Sequence, residues 1–306
     1  MRKSSLTILG CHSSIPTSNR FNPTSQILEM NGSYFLIDCG EGTQVQLRKA
    51  KIKFSKIIHI FISHLHGDHF FGLIGLLSTF HLLGREKTVV IFAPKGLKEI
   101  INVHFKWSYT KLRYPINYIE LYSNKLEKIL ENEKVEVFTI PLKHRIYTNG
   151  FLFKEKLSPR KLNIKEINKI SSIKISDYKN LKLGNDFIST NGKIVPNSKL
   201  TLDPPKILSY AFCSDTSYHP PIIEYIKNVD LLYHESTFLK IEENRATKTG
   251  HSTANQAADI AKRAKVKKLL LGHYSNRFPN IKDFEKEAKK IFFNTESTEN
   301  LKTYYL

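Results

Sequence analysis

A short segment, Ser63–His69, concentrates side chains that can bind metal ions. It reads Ser-His-Leu-His-Gly-Asp-His, so three histidines and one aspartate fall within six residues. Imidazole nitrogens and carboxylate oxygens are the usual non-thiolate ligands of zinc. One zinc ion needs about three protein ligands and a solvent position, and four ligands this close together therefore indicate two adjacent metal ions. The segment ends an apolar, strand-like run, where burying so many polar groups without a metal would be costly.

Other ligand-type side chains follow apolar runs in the same way. In layered α/β folds, sites form at the carboxyl ends of strands, so we expect these side chains and the histidine-rich segment to converge. They are His144 after Val135–Leu142, Asp215 after Ile207–Cys213, and His273 after Leu269–Leu271. The histidines that lack this placement are interpreted as structural or surface residues: His12, His59, His81, His104 and His219.

Strands and helices alternate along the chain on both sides of a basic middle segment, which favours α/β layers. From Phe151 to about Leu202, apolar residues become sparse and their periodicity is weak. Between Leu152 and Leu200, Lys and Arg number eleven, against four Asp and Glu. We therefore expect a catalytic domain formed by residues 1–150 and 203–306, with residues 151–202 as a basic insertion.

The composition restricts the partners and the location of the protein. A formal net charge of +19 favours a polyanion such as nucleic acid, although a biased base composition also produces many lysines. The three cysteines are scattered and form no Cys-x-x-Cys pair, which argues against a disulfide scaffold and a thiolate zinc site. No apolar run approaches the roughly 20 residues that span a bilayer, and no signal peptide is evident. We expect a cytoplasmic protein with no membrane partner.

The motif His-x-His-x-Asp-His, with the three later ligands, resembles the metallo-β-lactamase superfamily. Within it, the chain is similar over nearly its whole length to the ribonuclease Z family, the tRNA 3′-processing endonucleases. The metal motif alone marks only the superfamily. The segments His234–Phe238 and Gly250–Thr253 are closer to a ribonuclease Z signature.

The resemblance implies a fold and a cofactor. The fold is an αββα sandwich with the insertion as a protruding arm that grips tRNA. The cofactor is a pair of Zn²⁺ ions per chain, with no other small molecule. By resemblance, one ion takes His64, His66 and His144, the other takes Asp68, His69 and His273, and Asp215 bridges them.

The resemblance also implies catalytic roles. Asp68 accepts the proton of the attacking water, and His251, oriented by Glu235, protonates the leaving 3′-oxygen. The products are a tRNA with a 3′-hydroxyl and a trailer with a 5′-phosphate. A structural hydrogen bond is the simpler interpretation of the Glu235–His251 pair. Arg277 is expected either to contact phosphate or to be a solvated surface residue. The partners that the resemblance implies for the protein are precursor tRNA and a second copy of the chain in a homodimer.

Two other functions compete with this hypothesis. One is another hydrolase of the same fold, acting on small phosphodiesters or on esters and thioesters. The other is an RNA-binding protein with a degenerate metal site. The basic insertion argues against the first, and the complete set of candidate ligands argues against the second.

Overall fold

The structure, a computed structural model, describes residues 4–13 and 22–306. Within these residues the strands form two seven-stranded sheets and two short two-stranded sheets. In chain order they are β1 (Ser5–Gly10), β2 (Ser25–Met30), β3 (Ser33–Cys39), β4 (Ile57–Phe61), β5 (Val89–Pro94), β6 (Ile116–Leu121), β7 (Glu127–Glu131), β8 (Val135–Pro141), β9 (Asn149–Glu155), β10 (Lys161–Leu162), β11 (Phe187–Ile188), β12 (Ile194–Val195), β13 (Thr201–Leu202), β14 (Ser209–Cys213), β15 (Leu231–Glu235), β16 (Lys268–Gly272), β17 (Thr295–Ser297) and β18 (Thr303–Tyr305).

The α-helices flank these strands along the chain. In the described residues they are α1 (Thr43–Lys49), α2 (Gly67–Leu82), α3 (Leu97–Trp107), α4 (Ile164–Ile167), α5 (Tyr178–Lys182), α6 (Asn197–Leu200), α7 (Glu243–Thr249), α8 (Ala254–Arg263) and α9 (Lys282–Lys289). None of the helices in this part of the chain combines the length and the apolar content that crossing a bilayer requires.

The first sheet has the order β18-β1-β2-β3-β4-β5-β6. It is antiparallel from β18 to β3 and parallel from β3 to β6. Because successive side chains of a strand point to opposite faces, Phe35 and Ile37 enter one core cluster while Leu36 enters another. A strand buried on both faces reads as a continuous apolar run, which is the pattern seen from Phe35 to Ile37 in β3.

The second sheet has the order β17-β16-β15-β14-β9-β8-β7 and is parallel from β14 to β17. Its inner face packs on the first sheet through aromatic rings. The ring centroids of Phe61 and Phe151 are 5.3 Å apart, as are those of Phe35 and Phe153. The predicted start of the insertion at residue 151 is therefore wrong. Phe151, Leu152 and Phe153 belong to β9, and their burial between the sheets explains why three apolar residues stand together.

Helices cover the outer faces of both sheets. Leu76 of α2 and Ile101 of α3 pack against the first sheet, whereas Ala257 of α8 and Phe284 of α9 pack against the second. The predicted αββα layering is confirmed. The side chain of Thr253 caps the start of α8 by accepting a hydrogen bond from Gln256 N.

Residues 132–134 and 155–207 form a separate compact unit. It contains a small apolar cluster of its own, formed by Ile167, Leu181, Phe187 and Leu200. Buried Asn197 supports this cluster, because its amide donates to the carbonyls of Leu181 and Asn185, each at 2.8 Å. We call residues 155–207 the insertion from here on.

Candidate metal centre

The histidine-rich loop connects β4 to α2. β4 ends at Phe61 and α2 begins at Gly67, with the N-cap residue His66 in an extended conformation. The loop therefore leaves the sheet from inside the core and enters the first turn of a helix. Asp68 lies in that turn, where the helix dipole favours a negative charge.

The remaining predicted ligands stand directly after strands of the second sheet. His144 follows β8, Asp215 follows β14 and His273 follows β16. Asp215 and His273 adopt left-handed backbone conformations, with φ angles of 58° and 59°, which cost L-residues roughly 1–2 kcal/mol each. Strain of this kind concentrates at functional sites. Here it turns the chain sharply at the end of the strand and presents the side chain to the loop.

The carboxylate of Asp215 faces two different sets of imidazoles. Its Oδ2 lies 3.6 Å from His64 Nε2 and 3.8 Å from His144 Nε2. Its Oδ1 lies 3.1 Å from His69 Nε2 and 3.3 Å from His273 Nε2. Each oxygen thus serves one set, which is the arrangement that a bridging ligand requires.

His66 and Asp68 complete the two sets. His66 Nδ1 lies 3.0 Å from His64 Nε2 and 3.3 Å from His144 Nε2. Asp68 Oδ2 lies 3.5 Å from His69 Nε2 and 3.4 Å from His273 Nε2. All seven predicted ligands therefore lie together, as two groups of three joined by Asp215.

Two buried ring nitrogens without hydrogen bonds indicate whether these residues fit metal ions. The Nε2 atoms of His69 and His273 are buried and make no hydrogen bond, although Asp215 Oδ1 is close to both. Leaving such atoms unsatisfied costs about 1–3 kcal/mol each. A divalent ion held by these nitrogens and the carboxylate would satisfy them, and imidazole with carboxylate is a donor set that zinc and similar ions accept. The residues therefore fit divalent metal ions.

The second ring nitrogen of three histidines is held by a neighbouring group. When Nδ1 carries the proton and donates it outward, the Nε2 lone pair is left for the site. The pairs are His69 Nδ1 with Asp38 Oδ2 at 2.6 Å, His144 Nδ1 with the Gly250 carbonyl at 2.8 Å, and His273 Nδ1 with Thr237 Oγ1 at 2.9 Å.

Asp38 is a site residue to which the sequence analysis gave no role. It is fully buried, its φ angle is 55°, and it accepts hydrogen bonds from the backbone N–H and the hydroxyl of Ser63 at 2.8 and 2.9 Å. It therefore fixes both the start of the histidine-rich loop and the ring of His69. The signal was present, because Asp38 ends an apolar run as Asp215 follows one.

Glu235 and His251 form a buried pair beside the ligands. Glu235 Oε1 accepts from His251 Nδ1 at 2.9 Å and from Thr216 N at 2.7 Å. Its Oε2 accepts from the backbone and the hydroxyl of Thr237 and from Ser252 N. His251 Nδ1 is also 3.9 Å from Asp215 Oδ2, so the pair adjoins the carboxylate that joins the two groups.

Neighbouring charges change the pKa values of the histidines in the site. At His251 they oppose the lowering of the pKa by burial, and at His64 the neighbouring His69 lowers the pKa further. Burial disfavours the charged ring of His251, but the carboxylate of Glu235 and its hydrogen bond outweigh burial and raise the pKa to about 9. Burial lowers the pKa of His64 well below its usual value, and His69 adds to the effect. His251 therefore holds a proton near neutral pH, whereas His64 is in the neutral form that binds metal.

The other predicted residues have different surroundings. Arg277 is exposed, and its backbone N–H donates to Ser275 Oγ at 3.4 Å. His12 is buried and its ring lies edge-on to Tyr274, with centroids 5.7 Å apart. Burial, with His273 nearby, lowers the pKa of His12 to about 4.

Asp38→Asn should weaken zinc binding by about 10- to 100-fold, the usual effect of removing a group that orients a ligand histidine. The amide cannot accept all three hydrogen bonds, so His69 loses its fixed orientation. Competition with a chelator measures the affinity. Asp230→Asn is a matched control, because Asp230 also accepts from the N–H and hydroxyl of one serine, Ser209, at the opposite end of β14 from Asp215. Equal weakening in both variants would point to general destabilisation.

The chain is similar to several known proteins. Residues 4–298 match the family model described as Anti-Pycsar protein Apyc1. Ribonuclease Z of Bacteroides thetaiotaomicron is 44% identical over 292 residues, covering 95% of this chain and 92% of that protein. The crystal structure of human tRNase Z, short form (ELAC1), superposes with a TM-score of 0.70 and 26% identity over 98% of each chain.

A fourth match defines the fold. The metallo-β-lactamase fold protein YhfI from Bacillus subtilis covers 100% of both chains with a TM-score of 0.70 and 19% identity. The fold predicted from the sequence is confirmed by this likeness and by the two packed sheets. The chain therefore belongs to the Apyc1 family, by its match to that model, and to the ribonuclease Z family of metallo-β-lactamase-fold enzymes, by its identity to curated members.

Proposed function

We propose that this protein is a metal-dependent endoribonuclease that removes the 3′ trailer of precursor tRNA. It leaves a 3′-hydroxyl on the tRNA and a 5′-phosphate on the trailer. The observation that carries the proposal is the complete double ligand group around Asp215 with the His251–Glu235 pair beside it. Identity to ribonuclease Z over 95% of the chain supports the same reaction.

The proposed cofactor is two Zn²⁺ ions per chain. His64, His66 and His144 would hold one ion, Asp68, His69 and His273 would hold the other, and Asp215 would contribute to both. When bound there, the ions lower the pKa of a water molecule, orient the phosphodiester and offset its developing negative charge.

Asp68 is proposed as the group that accepts the proton of the attacking water. The Oδ2 atom of its carboxylate faces the second group of ligands, 3.5 Å from His69 Nε2 and 3.4 Å from His273 Nε2.

His251 is proposed as the acid that protonates the leaving 3′-oxygen. Its ring centroid lies 5.1 Å from that of His144 and 5.3 Å from that of His273, so it stands next to both groups. Since Nδ1 donates to Glu235, the proton for the leaving group comes from Nε2. Glu235 stabilises the protonated ring and keeps it in place.

The proposed partners follow from charge and from the relatives. The insertion exposes many lysines, including Lys165, Lys179 and Lys193, which suit the phosphates of tRNA. Phosphate contacts position a nucleic acid without reading its sequence. Exposed Arg277 is proposed as a further phosphate contact. We also propose a homodimer that works in the cytoplasm.

A precursor tRNA with a 3′ trailer should be cut once, at the junction between tRNA and trailer. Mapping both product ends should find a hydroxyl on the tRNA and a phosphate on the trailer. Small phosphodiesters and thioesters are the comparison substrates. Efficient hydrolysis of these alone, with an intact precursor, would contradict the proposal and favour a small-molecule hydrolase.

His251→Ala should slow cleavage of precursor tRNA by about 10²–10⁴-fold, the range expected for loss of a general acid. The loss should be much smaller on a nitrophenyl phosphodiester, whose leaving group needs no proton. Metal content should not change. His219→Ala serves as a control, since His219 begins a short 3₁₀ helix. Equal losses on both substrates would remove His251 from the acid role.

Replacing Lys165, Lys179, Lys182 and Lys193 with Gln should weaken precursor tRNA binding and flatten its salt dependence. Each phosphate contact contributes a slope of about −0.9 in log affinity against log salt for duplex. All four side chains are exposed, so the apolar cluster of the insertion stays intact. Four lysines in and beside α9 provide the control: Lys282, Lys286, Lys289 and Lys290. An unchanged salt slope in the insertion variant would rule out its contact with tRNA.

A further inference from the structure

α3 carries apolar side chains on the face turned away from the core. Ile100, Val103 and Trp107, spaced three and four residues apart, lie on one side of the helix. Trp107 is the only tryptophan of the chain and is 71% exposed, and Tyr109, just after the helix, is 91% exposed. We call Ile100, Val103, Trp107 and Tyr109 the α3 face. Exposing two large aromatic side chains to solvent so close together is typical of a binding surface.

The backbone of Tyr109 is strained. Its φ angle is 50°, and the hydrogen bond from Thr110 N to Phe105 O at 3.0 Å closes the end of α3 around it. Glycine is the usual residue at this left-handed position after a helix. A bulky side chain there is a genuine outlier. Glycine would relieve this strain, so the backbone alone does not favour tyrosine here.

The segment around these rings is basic. Residues 95–113 contain one acidic side chain, Glu99, against five basic ones: Lys95, Lys98, Lys106, Lys111 and Arg113. Lys106 Nζ lies 5.8 Å from the centre of the Trp107 ring. A second copy of this surface would bring like charges together, whereas a polyanion with flat rings matches both its charge and its aromatic groups.

The N-terminus of α3 lies beside the metal-binding loop. A Cβ placed on Gly96, the N-cap of α3, would stand 3.6 Å from Leu65 Cδ1, and Leu65 lies between the ligands His64 and His66. At 1.5 Å per residue, the helix carries Trp107 about 16 Å away from this point. A single strand of a few nucleotides spans such a distance.

We propose that the α3 face binds the single-stranded trailer of the substrate beyond the scissile bond. Bases stack on Trp107 and Tyr109, while phosphates lie near Lys106, Lys111 and Arg113. Bases inside a duplex are stacked on each other, so only unpaired nucleotides offer free faces to aromatic side chains. The choice of the trailer rests on the proposed function, whereas the binding of single-stranded RNA does not.

The fluorescence of Trp107, the only tryptophan in the sequence, can be used to detect binding at the α3 face. Titrating the protein with a single-stranded oligoribonucleotide should quench tryptophan fluorescence, and a duplex of the same length should quench it much less. Unchanged fluorescence with the single strand would overturn the proposal. Fluorescence that instead changes with protein concentration, without RNA, would make the α3 face an interface between copies and would also overturn it.

Two variants separate binding from folding. Trp107→Ala and Tyr109→Gly should each weaken binding of a labelled single strand by roughly 5- to 100-fold, the effect of losing one stacked base. Tyr109→Gly should also raise the Tm, because glycine relieves the left-handed strain. The control Phe293→Ala removes a ring that is 86% exposed beside Lys289 and Lys290. Equal weakening in the control would overturn the proposal.

The dependence of KM on trailer length tests whether the α3 face binds the trailer during cleavage. The wild-type protein should show a lower KM for a precursor with a trailer of about ten nucleotides than for one with a single extra nucleotide. In Trp107→Ala and Tyr109→Gly this advantage should disappear. An advantage that survives in both variants would overturn the trailer assignment. Failure of the wild-type protein to cut either precursor would refute the proposed function, and the fluorescence titration would still test the α3 face.

Discussion

The side chain of Asp215 is a fully buried carboxylate that faces imidazole nitrogens with both of its oxygens. A buried charge is tolerated only when it is paired, and buried ring nitrogens are tolerated only when they are satisfied. The carboxylate and the rings therefore require one another. Each of these side chains is fixed in a loop that follows a core strand or in the first turn of α2. The packing of the two sheets consequently decides whether the site forms.

A second buried carboxylate, Glu235, joins the loops beside the candidate metal centre. It accepts five hydrogen bonds, which come from the segment after β14, from the end of β15 and from the segment before α8. Removing its charge would free three loops and the ring of His251 together. The hydroxyl of Thr237 donates to Glu235 and contacts His273 Nδ1, so the orientation of one metal ligand depends on the same carboxylate. His251 and the candidate metal ligand His273 are thus held by one hydrogen-bond network.

The sequence was most informative where chemistry and periodicity coincide. Apolar runs followed by His144, Asp215 and His273 predicted strand ends, and parallel strands of one sheet bring their ends to one edge. The family resemblance then predicted the grouping that the distances show. The apolar run that Asp38 ends could have marked it as a candidate site residue. Its partner could not be predicted, because the bond to His69 joins residues 31 apart in the chain.

The insertion was harder to delimit for a related reason. The apolar residues of its small cluster have no regular period, since they come from short elements that pack only on one another. Phe151 and Phe153 looked like part of it because the strand they form is adjacent to the basic stretch. Their burial is visible only once the partner Phe61 on the other sheet is known.

The insertion leaves the sandwich from β9 and returns to it at β14, and these two strands are antiparallel neighbours in which Lys154 pairs with Ser209. The pairing of these two strands holds the two ends of the insertion next to each other, independently of the residues between them. Doubling the length of a closed loop adds only about 0.6 kcal/mol of closure entropy. Changes in the length or charge of this segment should therefore have little effect on the stability of the two packed sheets. The candidate metal ligands lie outside the insertion, so such changes would leave them in place.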